Sequence, residues 1–377
     1  MRGPGEIGVE RFARPELGPG AVLMRVLLSG ICGTDKHTFR GETVQYAGTP
    51  HERRIRYPLI CGHENVGVVE ATGGEVRAAD GSLLQPGDRI VPGANVPCGG
   101  CWYCLNGQPY YLCEQLEDYG NSLDVSRSPS LFGGWAELMY LLPGTPLFRV
   151  PDDLPDEIAV LTEIMSVTHG VETARRLSNV AFGEASVVYG VGPLGLCHLI
   201  KARLVGSGKL IAIDRLGFRL ELAGAFGATL TLNAQELDAE ELVARVREHT
   251  TRGADVVYDC TGVPETFATS LRMVRPGGVV VEAGAFVDLG PVEVNPNRDI
   301  CTTNVAVLGI GGETATSYAP AMELLARNQD RLPLDRIVTH RMCLEEAGDA
   351  IALAQGGGAM KVVLDPRLSI AGFETTS

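Results

Sequence analysis

At 377 residues the chain is too long for a single small module and is expected to fold as two domains, each with its own core. Hydrophobic residues make up 45% and charged residues 21%, which excludes a disordered polymer, and a net charge of −14 (32 basic against 46 acidic side chains) opposes binding to nucleic acid or an anionic membrane. No uncharged apolar run reaches the length of a membrane span and no signal-peptide pattern opens the chain, so a cytoplasmic location is expected, where its 10 cysteines favour metal or thiol roles over disulfides.

In chain order, short apolar strands broken by glycine and proline are expected near residues 22–28, 64–71, 88–91 and 136–142, an irregular β domain. Between the last two of these lies PCGGCWYCLNGQPYYLC, in which Cys98, Cys101, Cys104 and Cys113 are spaced C-x2-C-x2-C-x8-C. Short loops of this kind turn thiolates inward onto a tetrahedral zinc, and four cysteines leave no position for water, so a structural role is expected. Disulfides, incidental buried thiols and an iron–sulfur centre are the alternatives.

From about residue 185 the texture changes to strands alternating with helices: SVVYGV, a helix over 193–205, LIAID, a helix over 216–226, ATLTLN, a helix over 236–249, DVVYDC, a helix over 265–274, VVVEAGA and VAVLGI. This pattern describes a doubly wound parallel sheet. Its first turn carries Gly190, Gly192 and Gly195 as G-x-G-x-x-G, with Pro193 and Leu194 between, and Asp214 ends the next strand nineteen residues after Gly195. A dinucleotide pyrophosphate would rest on the helix N-terminus, and Asp214 would accept from the adenosine ribose hydroxyls and repel a 2'-phosphate, which favours NAD. Arg215 and Arg219 are nearby cations that could instead admit NADP. Cys260, Thr261 and Gly262, at the end of another parallel strand, should also lie near the cofactor. A helix over 318–327 and a short tail ending in KVVL complete the pattern.

The segments ICGTDKH at 31–37, CGHE at 61–64, GDRI at 87–90 and GGWAE at 133–137, together with the cysteine lobe and the glycine fingerprint, resemble the zinc-dependent medium-chain alcohol dehydrogenases, closest to their sorbitol and threonine dehydrogenase branch. The resemblance covers nearly the whole chain. It implies a GroES-like catalytic domain over 1–163 and 313–377 and a Rossmann cofactor domain over 164–312. It also implies a catalytic and a structural zinc, a nicotinamide cofactor, and a homodimer or homotetramer. Cys32 and His63 match two ligands of the catalytic zinc, with Glu64 able to swing onto the metal. Glu163 matches the acidic residue that the polyol branch offers as a further ligand, directly or through water. Thr34 resembles the hydroxyl that takes the alcohol proton, and His37 the residue that passes it to solvent through the cofactor ribose. Leu308-Gly309-Ile310 resembles the segment flanking the nicotinamide.

The implied reaction is hydride transfer between a secondary alcohol, such as a polyol or cyclitol, or its ketone, and NAD. An NADP-dependent biosynthetic ketoreductase is the alternative enzyme, and a non-catalytic zinc-binding protein the alternative from another class. The chain departs from the family in a short N-terminal segment, in one extra residue before Cys113, and in a longer interval between Cys32 and His63. Arg53, Arg54 and Arg56, in or beside that interval, could recognise an anionic substituent. His51 reads as a loop histidine and His169 as part of the helix joining the domains. Cys61, Cys197, Cys260, Cys301 and Cys343 read as small core residues.

Overall fold

The computed structural model describes residues 1–45, 47–49, 52–180 and 182–368, so the reading of His51 lies outside the described residues. The chain divides into two units, Met1–Ser166 with Thr314–Ser377, and Val167–Glu313. In chain order, the first unit begins with β1 (Val22–Gly30), α1 (Gly33–Arg40), β2 (Glu64–Thr72), β3 (Arg89–Pro92), β4 (Leu138–Leu141), β5 (Leu147–Arg149) and α2 (Thr162–Ser166). The second unit follows with α3 (Gly170–Ser178), β6 (Ala185–Tyr189), α4 (Pro193–Leu204), β7 (Lys209–Asp214), α5 (Gly217–Ala225), β8 (Leu230–Asn233), α6 (Ala239–Thr250), β9 (Ala254–Asp259), α7 (Pro264–Met273), β10 (Val274–Glu282) and β11 (Ala306–Gly309). The chain then returns to the first unit through α8 (Ala315–Asn328), β12 (Val338–Met342), α9 (Ala347–Gln355) and β13 (Lys361–Leu364).

The first unit is built on a seven-stranded sheet in the order β12-β13-β1-β2-β3-β5, with β4 pairing the first half of β1. β1 reads VLMRVLLSG because it is central: one end is flanked by β4, the other by β13, and β2 runs antiparallel along its length. An almost unbroken apolar strand is the signature of burial on both faces. Its core gathers Met24, Val26, Ile90, Tyr119, Phe132 and Met139, and a second cluster joins Ile31, Leu59 and Cys61 to Ile351 and Val362 from the returning segment.

Strand order in the second unit is β8-β7-β6-β9-β10-β11, every pair parallel. The order reverses at β6, so the crevice for a ligand lies at the carboxyl end of that strand. Val187, Ile211, Ile213, Val257 and Val280 fill one face of this sheet. No helix among the described residues is long and apolar enough to cross a membrane.

Two local features differ from the sequence expectation. α1 begins directly after Cys32, which takes the N-cap position, and Asp35 completes the capping box. The segment is only eight residues long and is capped by a thiol in place of the usual Ser, Thr or Asp, so periodicity gives no helix signal. α8 starts at Ala315, earlier than expected, because Thr314 caps it and Pro320 is accommodated inside.

Candidate active site

β1 and β2 are antiparallel neighbours with Gly30 paired to Glu64, so the residues that follow one strand meet those that open the other. The Cys32 thiol, a ring nitrogen of His63 and a carboxylate oxygen of Glu64 lie within 4.8 Å of one another. Asp35 ties the two segments together: its carboxylate accepts from the Cys32 N–H at 2.8 Å and from the Gly62 N–H at 3.3 Å. Burial raises the Asp35 pKa. Burial by itself would lower that of His63, but Cys32, Asp35 and Glu163 outweigh it and push it well up. The sulfur and carboxylates gathered around the one imidazole favour positive charge in the pocket, as a cation site requires. His63 Nδ1 and Thr34 Oγ1 are buried with no hydrogen-bond partner among the described residues. One thiol, one imidazole and a carboxylate fit a tetrahedral zinc with one position open.

Glu163 lies on α2, which packs against β2, and is buried. It acts on His63 electrostatically but falls outside the group of ligand atoms within 4.8 Å, where Glu64 stands instead. Glu64, next to His63 in sequence and expected to be able to swing onto the metal, is carried into the cluster by the strand itself. The sequence reading also missed Lys361. Its buried ε-ammonium pairs with Glu64 and donates to the Ile31 carbonyl at 3.1 Å. Only strand pairing at a separation of 330 residues brings it there. Asp35 was missed as well, although it stands within the CGTD motif. Thr34 and His37 lie three apart on α1 and so share a helix face.

In the lobe, the four sulfurs of Cys98, Cys101, Cys104 and Cys113 also lie within 4.8 Å of one another. Cys101 Sγ is 3.5 Å from Cys104 Sγ and 4.0 Å from Cys113 Sγ, and the Cys98 N–H points at Cys113 Sγ from 3.3 Å. Backbone N–H groups of Cys104 and Glu114 hold the Cys101 thiol down at about 6, so it is ready to ligate as thiolate. All ten cysteines are free thiols, and this lobe fits a structural zinc.

In the second unit Gly190 adopts φ +83°, Gly192 caps α4, and Pro193 occupies its first turn with Leu194 beside it. A Cβ at Gly195 would run into the Gly190 carbonyl, so this position must be glycine for helix and strand to pack. Asp214, at the end of β7, is buried; one oxygen accepts from the Leu216 N–H at 2.9 Å and the other faces Arg219 at 3.8 Å. The Arg219 guanidinium also covers Gly192, and its buried Nε has no hydrogen-bond partner among the described residues, whereas Arg215 is exposed. These are the features of a pyrophosphate and ribose cradle. Two further carboxylates stand at the same edge. Asp259 accepts from the Thr261 N–H and hydroxyl, and Glu282, paired with it in register, accepts from Gly284 N–H and Ala285 N–H at 3.0 Å each. Burial, then Asp259, pushes Glu282 up to about 7. Gly309 ends β11 opposite Glu282, and Gly262, at φ +72°, follows Thr261.

Several expectations are revised. Cys260 is half-buried at the end of β9, with its thiol 3.7 Å from His198 Nδ1 on α4. Cys301 is exposed at the end of a single helical turn, not in the core. His169, as expected, lies on the helical segment at the boundary of the two units, at the end of a 3-10 turn that runs into α3, with its ring against the Gly312 carbonyl at 3.0 Å. Arg53 is not available to an anion: it donates to Gln45, to the Leu116 carbonyl and to Asp118. Arg54 and Arg56 are exposed.

Residues 18–152 match the alcohol dehydrogenase GroES-like domain, and residues 193–327 match the zinc-binding dehydrogenase domain. The chain belongs to the zinc-binding alcohol dehydrogenase family. It is 31% identical to a 5-exo-hydroxycamphor dehydrogenase of Pseudomonas putida, over 93% of each chain. It is 30% identical to an L-idonate 5-dehydrogenase of Vitis vinifera, over 95% of this chain and 91% of the relative. Among solved structures, a zinc-binding dehydrogenase from Sinorhizobium meliloti 1021 bound to NADP superposes with a TM-score of 0.80 at 30% identity, over 97% of both chains. As a zinc-binding alcohol dehydrogenase, the chain is an oxidoreductase of alcohols and ketones that uses zinc and a nicotinamide dinucleotide.

Proposed function

We propose that this dehydrogenase oxidises a polar secondary alcohol with NAD, in the cytoplasm and as a homodimer or homotetramer, as its family resemblance implies. The observation that carries the chemical reading is the cluster of Cys32, His63 and Glu64 with the unpartnered Thr34 hydroxyl on the adjoining helix. Cys32, His63 and Glu163 hold the catalytic zinc, and Glu64, restrained by Lys361, is the carboxylate exchanged onto it. When bound, zinc supplies Lewis acidity that makes an alcohol hydroxyl easier to deprotonate near neutral pH. Thr34 Oγ1 takes that proton, and His37, whose pKa is lowered, chiefly by burial, so that the ring is neutral and basic at pH 7, passes it on to solvent. In the second unit, the α4 N-terminus receives the pyrophosphate, and Asp214 orders the ribose. Hydride transfer is the cofactor's own chemistry once it is positioned.

A panel of secondary alcohols, polyols and their phosphorylated or aminated analogues, read by NADH formation with zinc-loaded protein, tests this reading. Absence of turnover across the panel would reject it. The second reading, a ketoreductase using NADP, is favoured by one observation: Arg219 lies 3.8 Å from Asp214 and offsets its charge. Dissociation constants for NAD+ and NADP+, measured by calorimetry, separate the two.

A further inference from the structure

The end of α1 folds back on itself. Gly41 adopts φ +82°, its N–H donates to the Thr38 carbonyl at 3.0 Å, and the Glu42 N–H donates to the His37 carbonyl at 3.0 Å. This crossed pair of bonds is the Schellman termination, which requires a left-handed residue at Gly41 and places Glu42 beside the residue five positions earlier. The Glu42 carboxylate accordingly meets the His37 ring, with Oε2 at 2.5 Å from Nδ1. Arg40 donates to the same oxygen through Nε at 3.0 Å and Nη2 at 2.7 Å, and its Nη2 stands 2.9 Å from His37 Nδ1.

These contacts fix the hydrogen. A carboxylate oxygen at 2.5 Å from Nδ1 is tolerable only if Nδ1 carries a proton to donate. Arg40 cannot then donate to Nδ1 and spends its N–H groups on Glu42 instead. With Nδ1 protonated, the neutral ring has its lone pair on Nε2, which meets no protein group among the described residues. We propose that Glu42 is a positioning residue for the proton relay: it holds His37 in the Nδ1–H tautomer, so that Nε2 is the atom that receives the relayed proton. The inference rests on the relay assigned to Thr34 and His37 under the proposed function. Nε2 gains the proton, the imidazolium is balanced by the Glu42 carboxylate, and the Nε2 proton is lost to bulk water, which reaches a side chain that is 22% exposed. No electron moves and the neutral ring is restored in the same tautomer.

The surrounding charges poise the ring for this task. Burial and Arg40 lower its pKa, Glu42 opposes them through the hydrogen bond, and Lys36 adds a small lowering effect, leaving it below the ordinary histidine value. The Glu42 carboxyl is itself held low by Arg40, so it stays ionised while His37 works. α9, which packs against α1, carries only Asp349 as a charged group, and the N-terminal turn that bonds to the Phe39 carbonyl carries Arg2 and Glu6. None of these three is among the groups acting on the ring.

The test uses full-length protein labelled with 15N-histidine, with His37→Asn to assign the His37 signals. Wild type should show Nδ1 protonated and Nε2 as the unprotonated nitrogen at neutral pH. Glu42→Gln should yield a tautomer mixture, and Glu42→Asp should restore the wild-type pattern. In steady-state alcohol oxidation, Glu42→Gln should lower kcat about tenfold with little change in KM, since a general acid–base group contributes roughly 100- to 10,000-fold in full. The acid limb of its pH profile should move to lower pH, because the group that raises the His37 pKa is gone. Gly41→Ala, which breaks the turn that delivers Glu42, should behave like Glu42→Gln. An unchanged His37 tautomer in Glu42→Gln would overturn the proposal, and so would an altered tautomer with unchanged kcat and acid limb. Wild-type protein inactive on every alcohol would sink the dehydrogenase reading itself, and the spectra would still decide whether Glu42 sets the tautomer.

Discussion

Thr34 shows how a single side chain declares a task. Its hydroxyl is buried without a partner among the described residues, a state that costs about 1–3 kcal/mol unless something else satisfies it. Thr34→Ala should lower turnover by about 100-fold or more while leaving the dinucleotide dissociation constant unchanged; wild-type turnover in that variant would remove the hydroxyl from the mechanism. At the cofactor end, Asp214→Ala should weaken NAD binding and improve NADP binding, since Arg219 would lose the carboxylate that occupies it. Calorimetric affinities for the two cofactors decide this, and equal weakening of both would contradict it. Cys32, His63 and the four lobe cysteines were legible because each lies in a segment short enough to read as a motif. Lys361 was not, because nothing in its own neighbourhood, KVVL, signals a partner at Glu64. Arg53 misled for the related reason that a charge in sequence does not reveal that Asp118 and Gln45 already engage it.

At the level of elements, the alternation of strand and helix from residue 185 onward was readable because each parallel strand is an apolar run between amphipathic helices. The first unit was less so: apart from β1 and β2 its strands are short, and α1 hides behind an unusual cap. The lobe has no extended strand or long helix of its own, so metal must take the place of a core. Cys113→Ser should therefore lower zinc content by one atom per chain and lower the melting temperature, whereas a loss of both metals would mean that the sites are coupled. The paired strand ends at Asp259 and Glu282 give a pH dependence. Glu282 holds its proton up to about 7 in the folded chain but would release it near the ordinary glutamate value when unfolded. Its contribution to stability is therefore present below the unfolded value and is lost as pH rises through 7. Melting temperature measured from pH 5 to 8 should fall less steeply in Glu282→Gln than in wild type; parallel curves would refute the assignment.

For the whole molecule, the excess of acidic residues settles only which partners are disfavoured, while the division into two units assigns the metal clusters to one and the dinucleotide cradle to the other. Removing the buried cation tests how far the first unit depends on its returning strand. Lys361→Met leaves Glu64 buried and uncompensated, and should cost about 3–5 kcal/mol, read as a lower denaturation midpoint. A midpoint equal to wild type would mean that Glu64 finds another counter-charge. The position of Lys361 also bears on biosynthesis. Residues 167–313 form one uninterrupted stretch, so the second unit can finish folding as soon as that stretch leaves the ribosome. The first unit cannot: its central strand waits with one flank open, and its catalytic cluster with an unbalanced carboxylate, until β13 is made some 330 residues later. The order of maturation is thus the reverse of the order of synthesis, and the half of the protein that is translated first is the last to be completed.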